Sequence, residues 1–276
     1  MGNFNSRLEL TMKTLYPSFA CGLAVLVALS GCASRPASSP PPVVAATAPQ
    51  TPPPPPAPPE PAPPADLVPA AALAQPPAPF EGTGWESLFD GESLAGWSPT
   101  PFAGHGEVEV RSGVIRLNMG DPFTGINYTN AFPTMNYEVA LDAMRVMGTD
   151  FFCGMTVPVG TNYCSLIVGG WGGSLLGISS LDRMDASENE TTKFLTFERG
   201  RWYRIRLRVT EGRIEGWIDN EKKIDVVTKD RQISTRPGDI ELSKPFGIAS
   251  WQTGAALREI RYRRVETPAD PVKGPR

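Results

Sequence analysis

The chain has 276 residues, and 19 of its 30 prolines lie between Pro36 and Pro79. The sequence therefore contains a proline-rich region and a region of ordinary composition, and averages over the whole chain describe neither. Its net charge is only −3, from 26 Lys and Arg against 29 Asp and Glu, which gives no field that would hold a phosphate backbone. Only one histidine is present, His105, so a metal site built from several histidines is excluded. We therefore expect no nucleic-acid partner and no zinc hydrolase.

The first segment, residues 1–31, has the features of a secretion signal. An apolar run over residues 19–29 follows Lys13, and it is too short to span a bilayer but suits a signal-peptide core. The run ends in Leu-Ser-Gly-Cys at residues 29–32, which resembles a bacterial lipobox. The resemblance implies that Cys32 is lipidated and anchors the protein to the membrane of a bacterial cell envelope.

The residue after the cysteine bears on which membrane is meant. Ala33 stands there instead of aspartate, and resemblance to enterobacterial sorting then favours the outer membrane. An ordinary secreted protein with a chance cysteine is the alternative. Either Met1 or Met12 could be the start of translation, since each begins an acceptable leader.

A Pro/Ala/Ser-rich tract follows the lipidated cysteine and occupies residues 32–80. It offers no periodic apolar face, so it cannot offset the entropy of ordering by forming a core. We expect a disordered linker whose Pro-rich part favours polyproline II, at ~3.1 Å per residue. A ligand for a proline-recognition module is the alternative.

Residues 81–266 have the composition of one globular domain, with a disordered tail at 267–276. Short runs of β-forming residues alternate with Gly, Asn, Asp and Pro about every ten residues, which is typical of an antiparallel β-sandwich. One hairpin is predicted around Ser112-Gly113, where glycine can take the positive φ of a two-residue loop. We expect an all-β, two-sheet sandwich that is monomeric.

Two longer strand patterns divide their side chains between a core face and an opposite face. Residues 136–146 alternate, with Tyr137 and Leu141 predicted on the core face and Glu138 and Asp142 on the other. Residues 202–219 predict a hairpin that turns at residues 211–212 and pairs Ile205 with Ile218, Leu207 with Gly216 and Val209 with Ile214.

The same hairpin register aligns a stripe of arginines with acidic and aromatic partners. Arg204 faces Asp219, Arg206 faces Trp217 and Arg208 faces Glu215. We interpret the stripe as a solvated face of cross-strand ion pairs with one cation–π contact. An anion-binding surface is the alternative.

Two cysteines, Cys153 and Cys164, lie in the globular part within apolar strands. Pairing these strands about Pro158-Val159 brings the two cysteines directly opposite each other, close enough for a bridge. An exported compartment permits oxidation. A disulfide and two buried free thiols both satisfy this pattern.

The segment Trp-Glu-Ser-Leu-Phe-Asp-Gly-Glu-Ser-Leu-Ala-Gly-Trp at residues 85–97 resembles the opening of the 3-keto-disaccharide hydrolase family. Gly-Arg-Trp-Tyr at residues 200–203 and the segments 244–248 and 257–262 resemble its later strands. The resemblance spans most of residues 84–265. It implies a concanavalin A-like jelly roll with glycan chemistry or glycan binding on its concave face.

Two functions follow from the resemblance. One is a glycoside hydrolase or lyase that cleaves oxidised glycosides, and the other is a non-catalytic, lectin-like envelope module that binds a glycan. The middle of the chain departs from the family, because the stretch 151–157 lacks the arginine that members carry there, and residues 251–254 lack their late histidine.

The candidate catalytic carboxylates are Glu138, Asp142 and Asp150. Glu138 and Asp142 share one strand face but lie four residues apart, roughly 13 Å, which is too far for the carboxylate pair of a glycosidase. Each would therefore need another partner, and Asp150 lies in a loop that could supply one.

The candidate substrate-binding residues are Trp171, Asp182, Arg183 and Trp251. Trp171 stands in the glycine-rich segment 169–173, where it could present a stacking platform for a sugar ring. A core tryptophan in a tight crossover is the alternative.

No cofactor and no metal ligand are assigned. A calcium ion held by loop acids is the alternative that the sequence leaves open. The acids concerned are Asp150, Asp182, Asp185, Glu188 and Glu190.

Overall fold

The computed structural model describes residues 68–266. The predicted signal peptide, the lipidation site Cys32, the first part of the linker and the tail at 267–276 lie outside the described residues, so these remain predictions. Within the described range, no helix combines the length and the apolar character needed to cross a membrane.

The domain consists almost entirely of short strands joined by turns. The only helical segments in residues 68–266 are α1 (Ala70–Leu73) and a 3₁₀ turn (Asp239–Ser243). The strands are β1 Glu86–Ser87, β2 Trp97–Pro99, β3 Val108–Arg111, β4 Val114–Leu117, β5 Phe123–Tyr128, β6 Tyr137–Gly148, β7 Cys153–Val159, β8 Asn162–Gly170, β9 Leu175–Ser179, β10 Lys193–Phe194, β11 Tyr203–Thr210, β12 Arg213–Ile218, β13 Glu221–Val227, β14 Gly247–Trp251 and β15 Thr253–Arg264.

These strands form two antiparallel sheets that pack face to face. The eight-stranded sheet has the order β13-β12-β11-β6-β15-β4-β3, with β1 paired to β15. The seven-stranded sheet has the order β10-β9-β8-β7-β14-β5-β2. This arrangement confirms the predicted β-sandwich of the concanavalin A-like jelly-roll type.

The hydrophobic core lies between the inner faces of the two sheets. Tyr137 and Leu141 of β6 are fully buried there, together with Met155 of β7 and Leu166 of β8. The alternation predicted for residues 136–146 is therefore confirmed, because successive side chains of a strand point to opposite faces.

Both predicted two-residue hairpins are present. Strands β3 and β4 pair Arg111 with Val114, and the loop residues Ser112 and Gly113 have φ angles of 54° and 78°. Positive φ at both loop positions matches the twist of the flanking strands. Strands β11 and β12 pair in the predicted register, from Ile205–Ile218 through Leu207–Gly216 to Val209–Ile214.

The predicted register of the cysteine hairpin is wrong. Strand β7 pairs Cys153 with Val168, whereas Cys164 pairs with Val157. The chain turns at Gly160, whose φ is 63°, and not at Pro158-Val159, so the cysteines are displaced along the strands. Both cysteines are buried free thiols, and the disulfide is absent from the structure.

The sequence predicts a disordered linker up to residue 80, but the ordered domain begins earlier. Residues 68–85 lie across the outer face of the eight-stranded sheet. We call this segment the strap. Its Val68 and Ala72 are buried and pack with Trp202, whose indole N–H donates a 2.9 Å hydrogen bond to the Ala72 carbonyl. Burial of this kind stabilises an ordered segment, so residues 68–80 belong to the domain and not to a disordered linker.

Candidate functional site

An open cleft of about 450 Å³ lies on the outer face of the seven-stranded sheet. Strand β8 lines it with Ser165 and Ile167, and the segment that carries Arg236 to Ile240 forms one wall. The remaining lining residues are Phe123, Asp150, Phe151, Trp171, Ser179, Asp185 and Trp251.

Three aromatic rings form the apolar wall of the cleft. The rings of Phe123 and Trp251 meet edge to face, with centroids 4.5 Å apart, and Phe151 lies 6.1 Å from Phe123. Phe123 is itself stacked on Phe102 at 4.7 Å. The wall is thus a packed apolar surface in which Trp251 is the more exposed ring, and an aromatic ring of this kind can stack on the C–H face of a sugar.

Trp171 stands on the rim, and 42% of its surface is exposed. Asp150 shapes the loop beneath it, since Oδ2 accepts a 3.2 Å hydrogen bond from the Gly172 N–H and Oδ1 accepts one of 2.8 Å from the Phe151 N–H. The structure therefore brings three sequence candidates, Asp150, Trp171 and Trp251, to one cleft.

A buried arginine holds the other side of the tryptophan loop. Arg145 Nη2 donates hydrogen bonds to the carbonyls of Gly169, at 3.2 Å, and Gly173, at 2.8 Å. A Cβ on Gly169 would lie 2.5 Å from that nitrogen, so only glycine permits the contact. Burial lowers the pKa of the Arg145 guanidinium, although the charge of Asp150 opposes this effect.

Asp185 is the carboxylate with the most defined surroundings in the cleft. Its Oδ1 accepts hydrogen bonds from the Ser179 hydroxyl at 2.5 Å and from the Ala186 N–H at 2.7 Å. Its Oδ2 accepts one of 2.7 Å from Arg236 Nη1. The side chain of Asp185 is 14% exposed and that of Arg236 is 61% exposed. Both residues line the cleft, so this ion pair is accessible to a ligand there.

The structure does not bring Asp182 and Arg183 to this cleft. Asp182 accepts hydrogen bonds from the Gln232 N–H at 2.7 Å and from Arg231 Nε at 2.5 Å. These contacts lower the pKa of the Asp182 carboxyl, with the Gln232 N–H contributing most. Asp182 thus fastens its own loop, and Arg183 lines a neighbouring groove.

Glu138 and Asp142 also lie away from the cleft, so their assignment as catalytic partners of Asp150 is wrong. Both side chains belong to the outer face of the eight-stranded sheet, where Glu138 is fully buried and Asp142 is 3% exposed. Asp142 lies 2.6 Å from Arg204 Nε and 3.3 Å from Arg258 Nε.

Glu138 is enclosed by three arginines, which contact it at 2.8 Å (Arg206), 3.4 Å (Arg208) and 2.7 Å (Arg263). The predicted arginine stripe is therefore a largely buried ion-pair layer and not a solvated face. Its burial follows from the strap, whose Phe80 ring lies 3.8 Å from the Arg204 guanidinium carbon. The cation–π contact of Arg206 with Trp217 is present, at 4.1 Å.

Three of the five loop acids considered for calcium are paired with arginines, whereas Asp150 and Glu188 accept hydrogen bonds from backbone N–H groups. Arg231 contacts both Asp182 and Glu190, and Arg236 contacts Asp185. Within residues 68–266, no three side chains of the His, Cys, Asp and Glu types come together as a metal-binding group.

A family model described as a 3-keto-alpha-glucoside-1,2-lyase-like domain matches residues 84–266. No curated protein sequence matches the chain.

Several solved structures are similar in fold. The carbohydrate binding module CBM66 from Bacillus subtilis is 11% identical, with a TM-score of 0.41 over 61% of this chain and 95% of that chain. The Crh5 transglycosylase in complex with NAG is 10% identical, with a TM-score of 0.46 over 68% and 86% of the two chains. The β-glucanase of Bacillus licheniformis is 12% identical, with a TM-score of 0.43 over 67% and 100%.

Proposed function

The chain belongs to the 3-keto-alpha-glucoside-1,2-lyase-like family, and from that premise we propose that its cleft binds an oxidised glycoside and cleaves the glycosidic bond. The resemblance seen in residues 85–97 is confirmed by the family match. The observation that carries the proposal is the placement of Asp185 and Arg236 beside the aromatic wall. A sugar ring stacked on that wall has a carboxylate and a guanidinium at its edge.

The proposed reaction needs one base. A ketone at C3 makes the hydrogen on C2 acidic, and Asp185 takes that proton through Oδ2, which accepts one hydrogen bond in the structure. The C–H electrons first form an enolate with its charge on the C3 oxygen. When the enolate collapses, the C1=C2 double bond forms and the C1–O bond breaks with its electrons on the leaving oxygen. The leaving oxygen takes a proton from water, and the resulting hydroxide takes the proton from Asp185, which restores the base. Arg236 stabilises the negative charge that develops on the ketone oxygen.

The local hydrogen bonds fit this role for Asp185. Donors from Ser179 and Ala186 hold Oδ1, so the side chain cannot turn away from the cleft when Oδ2 receives a proton. Asp150, in contrast, uses both carboxylate oxygens to shape the tryptophan loop. We therefore assign the base to Asp185 and the loop-shaping role to Asp150.

Turnover by the full-length protein tests the proposal. We expect it to release the aglycone from 3-keto-α-glucosides but not from the unoxidised glucosides, and we expect Asp185→Asn to lower the rate by about 10²-fold or more. Asp225→Asn is the matched control, because Asp225 is an exposed, arginine-paired aspartate on β13 outside the cleft.

A non-catalytic, lectin-like module is the second candidate function. The aromatic wall favours it, because stacking alone binds sugars without any acid or base. Measurable binding of 3-keto-α-glucosides without turnover would contradict the enzyme proposal and support this alternative.

We propose further that Cys32 carries a lipid that holds the protein at the outer membrane of a bacterial envelope, as a monomer. The apolar run at residues 19–29 and the lipobox-like sequence that follows it support the anchor. Mass spectrometry of the mature protein should find an acyl-modified Cys32, and Cys32→Ser should remove the modification. A mature wild-type protein without an acyl chain would contradict the anchor.

A further inference from the structure

A second cavity of about 590 Å³ adjoins the cleft, and we call it the side groove. It lies along the same strand, since Tyr163 of β8 lines the side groove and Ser165 lines the cleft. Two residues of a strand on the same face are roughly 7 Å apart, so the cavities are neighbours. Pro237 lines both of them. A ligand longer than one sugar ring would run from one cavity into the other.

The side groove differs from the cleft in its chemistry. In place of the aromatic wall it has one partly exposed tyrosine and mostly polar side chains. Its lining includes Tyr163, Arg183, Gln232, Glu241 and Lys244. A polar groove of this kind recognises hydroxyl-rich or charged groups and not an apolar aglycone.

Two cations and one carboxylate give the side groove a positive balance. Arg183 is exposed, and its Nε donates a 3.1 Å hydrogen bond to Gln232 Oε1. Among residues 68–266, no carboxylate lies within 4 Å of its guanidinium, so the terminal nitrogens are available to a ligand. Lys244 Nζ is 3.7 Å from Glu241 Oε1 and 5.5 Å from the centre of the Tyr163 ring.

The cleft has the opposite balance. Asp150, Asp185 and Asp239 line it, and Arg236 is the one cationic side chain among its lining residues. An anionic group on a bound ligand would be repelled by these carboxylates and attracted by Arg183 and Lys244. The opposite charges of the two cavities would therefore orient a bound ligand, with its anionic end in the side groove and its neutral end in the cleft.

We propose that the side groove binds the leaving part of the glycoside and selects an anionic sugar unit there, with Arg183 as the principal contact. The neutral 3-keto ring then occupies the aromatic cleft beside Asp185. This inference rests on the proposed function, because it names the substrate class of the same site. The recognising chemistry is an oxyanion, and a sugar carboxylate or a sugar phosphate would supply it.

Ligand-observed saturation-transfer NMR on the full-length protein tests the side groove without any turnover. The probes are D-glucuronate, D-glucose 6-phosphate and D-glucose, each titrated at low ionic strength. We expect one or both anions to bind about five-fold more tightly than glucose, as for an exposed charge pair. The tighter anion identifies the source of the oxyanion, and salt at about 1 M should shrink the preference.

Arg183→Gln should abolish the preference, whereas Lys229→Gln should keep it, since Lys229 is an exposed lysine that lines neither cavity. Thermal midpoints of both variants should match the wild type because both side chains are exposed. Equal binding of glucose and both anions, or a preference that survives Arg183→Gln, would overturn the inference.

Turnover separates this inference from the proposed function. If anions bind through Arg183 but no 3-keto-glucoside is cleaved, the proposed reaction fails and the groove assignment stands. If 3-keto-glucosides with neutral and anionic aglycones are cleaved with equal kcat/KM, the anion selectivity alone is overturned.

Discussion

Arg236 Nη1 lies 2.7 Å from Oδ2 of Asp185, although the two residues are 51 positions apart in the chain. The contact ties the loop after β9 to the segment before the 3₁₀ turn, and these two pieces form one wall of the cleft. It places the Arg236 guanidinium beside the oxygen that we assign as the base. Proton abstraction by Asp185 and stabilisation of the developing charge by Arg236 therefore both depend on this one ion pair.

Removing the guanidinium should affect catalysis more than folding. In Arg236→Ala, Asp185 keeps its donors from Ser179 and Ala186, so kcat should fall while KM changes little. Because Arg236 is 61% exposed, we expect a stability change within about 1 kcal/mol. Steady-state kinetics beside a thermal melt decide this. Arg213→Ala, in an exposed pair with Asp225 elsewhere, is the control.

Loss of the rim tryptophan should weaken sugar binding and leave the fold intact. Trp171 is 42% exposed, so Trp171→Ala should cost about 1 kcal/mol of ligand affinity through lost stacking, with a small change in the denaturation midpoint. The comparison variant is Phe194→Ala, because Phe194 is 71% exposed and does not line the cleft. A large drop in the Trp171→Ala midpoint, or an unchanged affinity, would remove Trp171 from the site.

Neutralising Glu138 should destabilise the domain without altering the cleft. Glu138→Gln removes the buried carboxylate that pairs Arg206 and the half-buried Arg263, although Arg206 keeps Glu81 at 3.4 Å, and this should cost about 3–5 kcal/mol of unfolding free energy. Chemical denaturation measures this loss, and Glu221→Gln, in an exposed lysine pair, should change it little. A Glu138→Gln variant as stable as the wild type would contradict the ion-pair layer.

The thiols should be inert in the folded protein. Burial raises the pKa of Cys164 to about 12 and raises that of Cys153 as well. At pH 8 a thiol reagent should modify neither cysteine until denaturant is added. A species two hydrogens lighter in the unreduced protein would show a disulfide instead.

The same burial makes the thiols a source of pH dependence. The folded state keeps the thiol protons and the unfolded chain loses them above its ordinary pKa of 9.0, so the folded state binds more protons. Their contribution to stability is complete below pH 9 and decreases as the pH rises from there towards the folded pKa values. Unfolding curves of Cys164→Ser, which removes this group, should show a smaller decrease over that range.

Local rules predicted much of the fold. Alternation along residues 136–146 revealed which face of β6 enters the core, and glycine in two-residue loops located the hairpins at Ser112-Gly113 and at residues 211–212. These rules failed at the cysteine hairpin. Pro158 suggested a turn at residues 158–159, whereas the chain turns two residues later, at Gly160, whose φ is positive.

The candidate site was predicted only in part, since its chemistry is non-local. Trp171, Trp251 and Asp150 were found from their own loops and strand, but the pairing of Asp185 with Arg236 depends on two distant loops meeting. Alternation placed Glu138 and Asp142 on the correct face of β6. It could not reveal that the strap covers that face, because a Pro/Ala-rich sequence carries no signal of docking.

The strap also decides how the domain can carry load. Arg258 and Arg204 donate hydrogen bonds to its carbonyls at Gln75 and Ala78, on the sheet opposite the one that bears the cleft. A force applied at the start of the strap would act first on the outer face of the eight-stranded sheet, where these arginines hold the strap. The aromatic wall of the cleft lies on the other sheet and would not bear that force directly. Force applied at the start of the strap is therefore expected to leave the geometry of the cleft on the other sheet unchanged.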